Sequence, residues 1–381
     1  MRMQKVCIVG DGLTGLTAAL ALSISGNYHV DLISKKKAGI NTIDKRTTAI
    51  SSSNFNFLSN LILKEDKKNF KPCRQIKLYY DKGEGYENFM NFENNNKNLM
   101  YIIENSKLKK GILKNIKKNR KKIRLINSDV KEINEKESYL IVKQKKTFYD
   151  LIILCLGNKS GLISQITGNR AIKSKMNEFA FTATINHNLK LDEPRQYFLA
   201  EGPLAILPYN KNKFSLIWSL DNKENKIDKL KKLTKFKLSK IFGNKKKINI
   251  ENPAFFPIHT EIKKKIQKNN ILILGESSHS VHPIAGQGFN LTLRDIKKLT
   301  TEMEKFSSLG IQIKNSTLLN QLELATKPEN LFFGLGINFT HIFFKKLANN
   351  LLLKNMVFKD IDKFKNLKKI ALNVSDRGIF T

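Results

Sequence analysis

The feature that most limits this chain's fold stands near its start. An apolar run, Lys5-Val6-Cys7-Ile8-Val9, leads directly into Gly10-Asp11-Gly12-Leu13-Thr14-Gly15. A helix pattern follows from Leu16 to Ser25, where Gly26 stops it, and then a second strand pattern, Tyr28 to Ile33. Successive apolar residues suit a parallel strand buried on both faces. GxGxxG alone is weak evidence, but within a strand–helix–strand unit of about thirty residues it reads as a dinucleotide-binding turn. Gly10 permits the tight turn, Gly12 lets the backbone approach a pyrophosphate, and Gly15 lets the helix pack on the strand. The helix start, with Leu13 and Thr14, offers free N–H groups and a positive dipole end to phosphate. An acid for the ribose is expected about 20 residues on. Ser34 stands there, followed by Lys35, Lys36 and Lys37, while Asp31 lies on the opposite strand face. A serine in that place predicts weaker cofactor binding within the same fold.

The rest of the chain shows a repeating texture. Residues 47–63 and 97–118 read as helices, and 75–92 as short strands around a Gly83–Gly85 turn. Ile123–Ile126, Val130–Ile133 and Tyr139–Val142 read as a small sheet, and Asp150–Leu154 as a buried strand ending at Gly157. Phe179–Ile185, Tyr197–Ala200 and Phe214–Leu220 alternate loosely, as strands of a mixed sheet do. Nucleotide-domain texture returns at Ile271–Leu274, with a loop from Gly275 to Gly288 and a helix from Phe289 to Phe306. The expected class is α/β: a Rossmann-type nucleotide domain (1–72, 97–170 and 266–306), an inserted mixed β-sheet substrate domain (73–96 and 171–265), and C-terminal helices (307–381).

Composition narrows the partners. The formal net charge is +35, but only nine of the 68 basic residues are arginine. Readers of bases and phosphates lean on arginine's planar fork. Scattered lysine describes a solvated surface, so no nucleic-acid partner is expected, whereas attraction to anionic lipid is. Gly10 cuts the first apolar run too short for a signal peptide, and no stretch reaches the roughly 20 apolar residues of a membrane span. Cys7, Cys73 and Cys155 lack CxxC spacing and read as buried thiols of a reducing compartment. No metal site is expected.

The strongest segment is Gly275-Glu276-Ser277-Ser278-His279-Ser280-Val281-His282-Pro283-Ile284-Ala285-Gly286-Gln287-Gly288-Phe289-Asn290. It resembles the flavin-dependent aromatic hydroxylases of ubiquinone biosynthesis, relatives of para-hydroxybenzoate hydroxylase, whose pattern is Gly-Asp-Ala-Ala-His-x-x-His-Pro-x-x-Gly-Gln-Gly-x-Asn. Asp44-x-Arg46 with Ala49-Ile50-Ser51, Gly202-Pro203-x-Ala205-x-Leu207-Pro208 and Trp218-Ser219 are similar to further motifs of that family. The resemblance spans about residues 4–350.

It implies FAD held by Gly10, Gly12, Leu13, Thr14 and Gly15, with Ser34, Arg46, Gly157, Glu276, Gly288, Phe289 and Asn290 as further contacts. Pro283, Gly286, Gln287 and Gly288 would line the flavin ring. His279 and His282 are expected to fix this loop, and no protein acid or base is assigned. The family's Ala-Asp-Gly-x-x-Ser-x-x-Arg reads Cys155-Leu156-Gly157-Asn158-Lys159-Ser160-Gly161-Leu162-Ile163 here. A carboxylate and a cation are lost, which bears on reduction by NAD(P)H.

The implied reaction hydroxylates a polyprenylated phenol with molecular oxygen through a C4a-hydroperoxyflavin. Phe181, Leu204, Ile206 and Trp218 are candidate substrate contacts. The alternatives are a catalytically impaired accessory subunit among other quinone-biosynthesis proteins, or a flavin-dependent reductase. The expected place is the cytoplasm, peripherally on the inner face of the membrane. Its contact would be the aromatic stretch Leu331–Phe344, where Phe332, Leu335, Phe339, Ile342 and Phe343 recur at helical spacing.

Overall fold

A computed structural model describes residues 3–35, 44–94, 97–157, 160–168, 170–221, 226–243, 247–283, 286–314, 317–348 and 365–378. β1 (Gln4–Val9), α1 (Leu13–Ile24) and β2 (Tyr28–Ser34) form the opening βαβ unit. Val6 and Ile8 join one apolar cluster with α1, while Cys7 and Val9 join another on the far side of the sheet. Both faces of β1 are therefore covered, which explains its unbroken apolar run.

Residues 47–63, expected as one helix, divide into β3 (Thr47–Ser51) and α2 (Ser52–Leu61), followed by the single turn α3 (Lys64–Lys67). The β-branched Thr47, Thr48 and Ile50 favour the extended chain. Ser51 then caps α2, its hydroxyl accepting from the Asn54 N–H at 3.5 Å. β4 (Lys71–Cys73), β5 (Gln75–Asp81) and β6 (Tyr86–Glu93) come next. The stretch 97–118, also expected as one helix, begins as β7 (Met100–Glu104) and continues as α4 (Asn105–Lys118). β8 (Ile123–Asn127) leaves the small sheet expected of it and pairs in parallel with β2. That small sheet is β9 (Ile133–Asn134), β10 (Tyr139–Val142) and β11 (Lys145–Phe148).

β12 (Leu151–Leu154) and α5 (Gly161–Thr167) lead into the strands β13 (Ala171–His187), β14 (Arg195–Leu199), β15 (Gly202–Asn210) and β16 (Lys213–Asp221). α6 (Ile227–Phe242), β17 (Ile248–Lys263), β18 (Gln267–Lys268), β19 (Ile271–Ile273) and β20 (His279–Ser280) follow. The helices α7 (Gln287–Ser308), α8 (Leu318–Ala348) and α9 (Lys365–Arg377) complete the order.

Two large sheets result. One runs β18-β19-β12-β1-β2-β8 and is parallel except at β18. The other runs β20-β17-β13-β16-β15-β14-β5-β6 and is antiparallel except where β14 meets β5. On one face of this second sheet, Phe181, Leu204, Ile206, Phe214, Leu216 and Trp218 pack with Leu230 and Leu238 of α6. Each such buried side chain contributes about 1.5–3 kcal/mol. β20 pairs with β17, so the segment between β19 and α7 passes from the first sheet to the second. That crossing places the site.

Candidate active site

The two sheets face each other across a cleft of about 650 Å³, within the usual size of cofactor and ligand sites. Gly12, Leu13 and Thr14 at the start of α1 line it. The three motif glycines differ in kind. A Cβ on Gly10 would collide with the Cys155 carbonyl, and one on Gly15 with the Gly10 carbonyl. Gly10 also has φ +119°, backbone that only glycine adopts readily. At Gly12, a Cβ would meet no atom within 4 Å. The open space thus lies where a pyrophosphate would approach the N–H groups of α1, and no side chain caps that helix. These residues fit FAD.

Arg46 and Glu276 reach the same cleft. Arg46 grips Asp44 with two hydrogen bonds, Nε to Oδ1 and one terminal nitrogen to Oδ2, each 2.8 Å. Its guanidinium lies 4.9 Å from the centroid of the Phe256 ring. The Asp44 hydrogen bond raises the Arg46 pKa against the opposing effect of burial, and Glu276 adds to the rise. Burial pushes the Asp44 carboxyl up, but hydrogen bonds from Arg46 and Asn105 outweigh it and hold the pKa below the ordinary value. Arg46 is thus both ion-paired and placed to face a cofactor. Burial pushes the Cys155 thiol, also on the cleft wall, up to about 12.

Pro283, Gly286, Gly288 and Phe289 line the cleft, while Ile284 and Ala285 lie outside the described residues. Gly286 takes φ +62° and starts α7. Gln287 and Asn290 turn away from the cleft. The Gln287 side-chain amide donates to the Ser375 hydroxyl at 2.9 Å. Asn290 donates to the carbonyls of Ala49 and Gly286 at 2.9 and 3.0 Å. It accepts from the Ser51 N–H and the Asn54 amide, each at 2.9 Å. It is a clamp on the ring loop. Both residues border a larger polar hollow of about 1070 Å³ between α2, α7 and α9, which lacks the glycine turn.

The histidines are internal fasteners. His279 Nε2 lies 2.8 Å from Asp295 Oδ2, and the Asn330 amide donates to the same carboxylate at 3.3 Å. His282 is fully buried, 3.5 Å from Glu178. Ser34 ends β2, buried and paired in parallel register with Asn127 of β8. It is absent from the cleft lining, and residues 36–43 beyond it lie outside the described residues. Asp31 serves the fold instead, accepting from Arg124 at 2.8 and 2.6 Å and from the Tyr149 hydroxyl at 2.9 Å.

The candidate substrate contacts need correction. Phe181, Leu204, Ile206 and Trp218 have no solvent exposure and belong to the core under α6. The Trp218 indole donates to the Gly202 carbonyl at 3.1 Å. Side chains alternate along a strand, so the cleft takes the neighbouring set: Ala180, Thr182, Leu207, Ser215 and Ile217. The alternation of large Phe214, Leu216, Trp218 and Leu220 with Ser215, Ile217 and Ser219 carries this signal in the sequence. Another residue missed from sequence is Ser277, whose hydroxyl accepts from the Leu156 N–H at 3.0 Å and donates to the Gly157 carbonyl at 3.1 Å. It ties the loop after β12 to the loop after β19. Leu156 and Gly157 line the cleft, but Ile163 is buried beneath the parallel sheet. The cation missing from the family pattern is therefore replaced by core.

Comparison with known proteins agrees with this geometry. Residues 150–308 match the protein family described as FAD binding domain. The p-nitrophenol 4-monooxygenase PnpA of Pseudomonas putida DLL-E4 superposes with a TM-score of 0.78 at 14% identity, over 99% of this chain and 100% of that one. HpxO of Klebsiella pneumoniae, solved with FAD and uric acid, gives 0.73 at 14% identity, over 98% and 97%. The class that fold and site most resemble is the FAD-dependent monooxygenases. The chain's sequence relatives lie among the ubiquinone-biosynthesis enzymes. The ubiquinone biosynthesis monooxygenase COQ6 of Dictyostelium discoideum is 23% identical over 98% of this chain and 91% of that protein. The 3-demethoxyubiquinol 3-hydroxylase of Escherichia coli K12 is 24% identical over 48% of this chain and 47% of that protein.

Proposed function

We propose that the enzyme hydroxylates the ring of a polyprenylated phenol in ubiquinone biosynthesis, with FAD as cofactor, molecular oxygen as co-substrate and NAD(P)H as reductant. One observation carries the reading: a single cleft joins the glycine turn of α1 to an open face of the second sheet, with the Pro283–Gly288 loop between them. When bound, FAD supplies the oxygen-transfer chemistry that protein side chains lack.

The chain's own residues orient and enclose. Gly12 and the start of α1 would hold the pyrophosphate. Arg46 and Glu276 would flank the cofactor, and Gly286 and Gly288 would admit its ring against bare backbone. Ala180, Leu207 and Ile217 give the phenol an apolar wall, and Thr182 and Ser215 give it hydroxyls to align against. With the cofactor and phenol in place, the cleft walls would exclude water from the reacting centre. The ubiquinone relatives support the substrate class.

The test is turnover with purified protein, FAD and a short-chain prenyl phenol under oxygen. The expected result is consumption of NAD(P)H coupled to a product one oxygen heavier. NAD(P)H oxidation that only reduces oxygen to hydrogen peroxide, or a reduced product with no added oxygen, overturns the hydroxylase reading.

A further inference from the structure

We infer that α8 seats this enzyme on an anionic lipid surface. The inference rests on the substrate reading for its purpose, but its evidence is separate. α8 runs for 31 residues, well past the aromatic stretch, and has two unlike faces. Phe333 and Ile337 are buried with Leu291 and pack against Val281. Gly334 lies so close to Ile262 that a Cβ there would collide with it. The Asn338 side-chain oxygen accepts from the Thr260 hydroxyl at 2.7 Å. The helix is thus already fastened to the protein along one side.

The other side is apolar and open. Leu324, Phe332, Leu335, Phe339, Ile342 and Phe343 are all exposed, Phe339 by 71% and Phe332 by 53%. At about 100° per residue they fall within one sector roughly 100° wide. From Leu324 to Lys346 the stripe extends about 33 Å at 1.5 Å per residue. Soluble monomers rarely leave such a patch bare. Among the described residues no helix is long and apolar enough to cross a membrane, so the fitting pose is in the plane of the interface.

Charge selects the occupant. A second copy of this chain would bring a net +35 against +35. An anionic leaflet is instead drawn to it. Lys327 and Lys346 stand exposed on the same helix. The inner stripe touches Val281, which itself lines the cleft. A prenyl phenol dissolved in the leaflet would therefore have only α8 and Val281 between it and the cleft.

The experiment uses the full chain loaded with FAD. Phosphatidylcholine vesicles with phosphatidylglycerol should sediment the protein at low salt, and vesicles without it, or high salt, should release it. Phe339→Asp should weaken vesicle binding at least about tenfold, the scale of losing one buried aromatic side chain, with the flavin spectrum and Tm unchanged. Phe339→Trp covers the case in which the aspartate disturbs folding: its emission should shift blue and be quenched by brominated lipid. Wild-type protein left in the supernatant by anionic vesicles overturns the inference. So does a tryptophan that no lipid quenches, or a wild-type dimer that Phe339→Asp converts to monomer. Phe339→Asp should still hydroxylate a short-chain phenol as the wild type does. Vesicle binding without any hydroxylation would fault the substrate reading and leave the docking intact.

Discussion

Two glycines of one motif should fail in opposite ways. Gly12→Leu places a side chain in open space, so the protein should fold with near-normal Tm and retain no FAD. Gly10→Leu meets the Cys155 carbonyl at a strained φ, and should cost several kcal/mol of stability before any cofactor is considered. Thermal melts beside flavin absorbance separate the two. Leu156 poses a question of electron delivery, since it puts an alkyl group on the cleft wall where the resembled family has a carboxylate. Anaerobic stopped-flow reduction by NADH or NADPH should be slow, and Leu156→Asp should quicken it about tenfold, some 1.4 kcal/mol of barrier. Fast reduction of the wild type would show that leucine is harmless there. The Asp44–Arg46 pair has its own pH signature. A carboxylate with a lowered folded pKa stabilises the native state above its unfolded pKa, about 3.9, and loses that contribution as pH falls through the folded value. Flavin fluorescence should therefore report release as the solution is taken below about pH 4. Asp44→Asn should flatten that dependence.

Strand parity decides what a substitution in the second sheet does. Ile217→Trp should fill the cleft, lowering turnover with little change in Tm. Trp218→Ala, one residue on, should cost about 3–5 kcal/mol of stability by opening a cavity in the core. Melts and kcat on both variants check this. The same pair shows what was legible in sequence. The glycine turn could be read because its constraint is local: backbone contacts within β1 and α1 demand those residues. The segment Gly275–Asn290 could be read as a motif, yet its division of labour could not, since Asn290 is defined by partners at Ala49, Ser51 and Asn54, far off in sequence. Trp218 looked like a contact because it is large and aromatic. The sheet instead buries its bulky set under α6 and leaves the smaller residues for the ligand. Short strands before helices, β3 and β7, were hidden because each runs into its helix without a glycine or proline break.

At the scale of the molecule, excess lysine sets a uniform field. Like charge on a compact body opposes folding, and salt screens it over a Debye length of about 10 Å at 0.1 M. Raising ionic strength should lift Tm by at least about 2 °C while loosening any hold on lipid. The discontinuous parallel sheet has a consequence for how the chain is made. Val6 pairs with Leu151 and Ile152 with Ile271, so β12 cannot gain its second neighbour until nearly three quarters of the polypeptide has left the ribosome. The antiparallel strands β13, β16 and β15 find their partners nearer in sequence, and such contacts close sooner. A nascent chain halted after β17 would carry most of the substrate sheet beside an unfinished nucleotide sheet, its apolar edge at β12 bare. Over that interval the exposed apolar edge is of the kind that makes incomplete chains prone to aggregate.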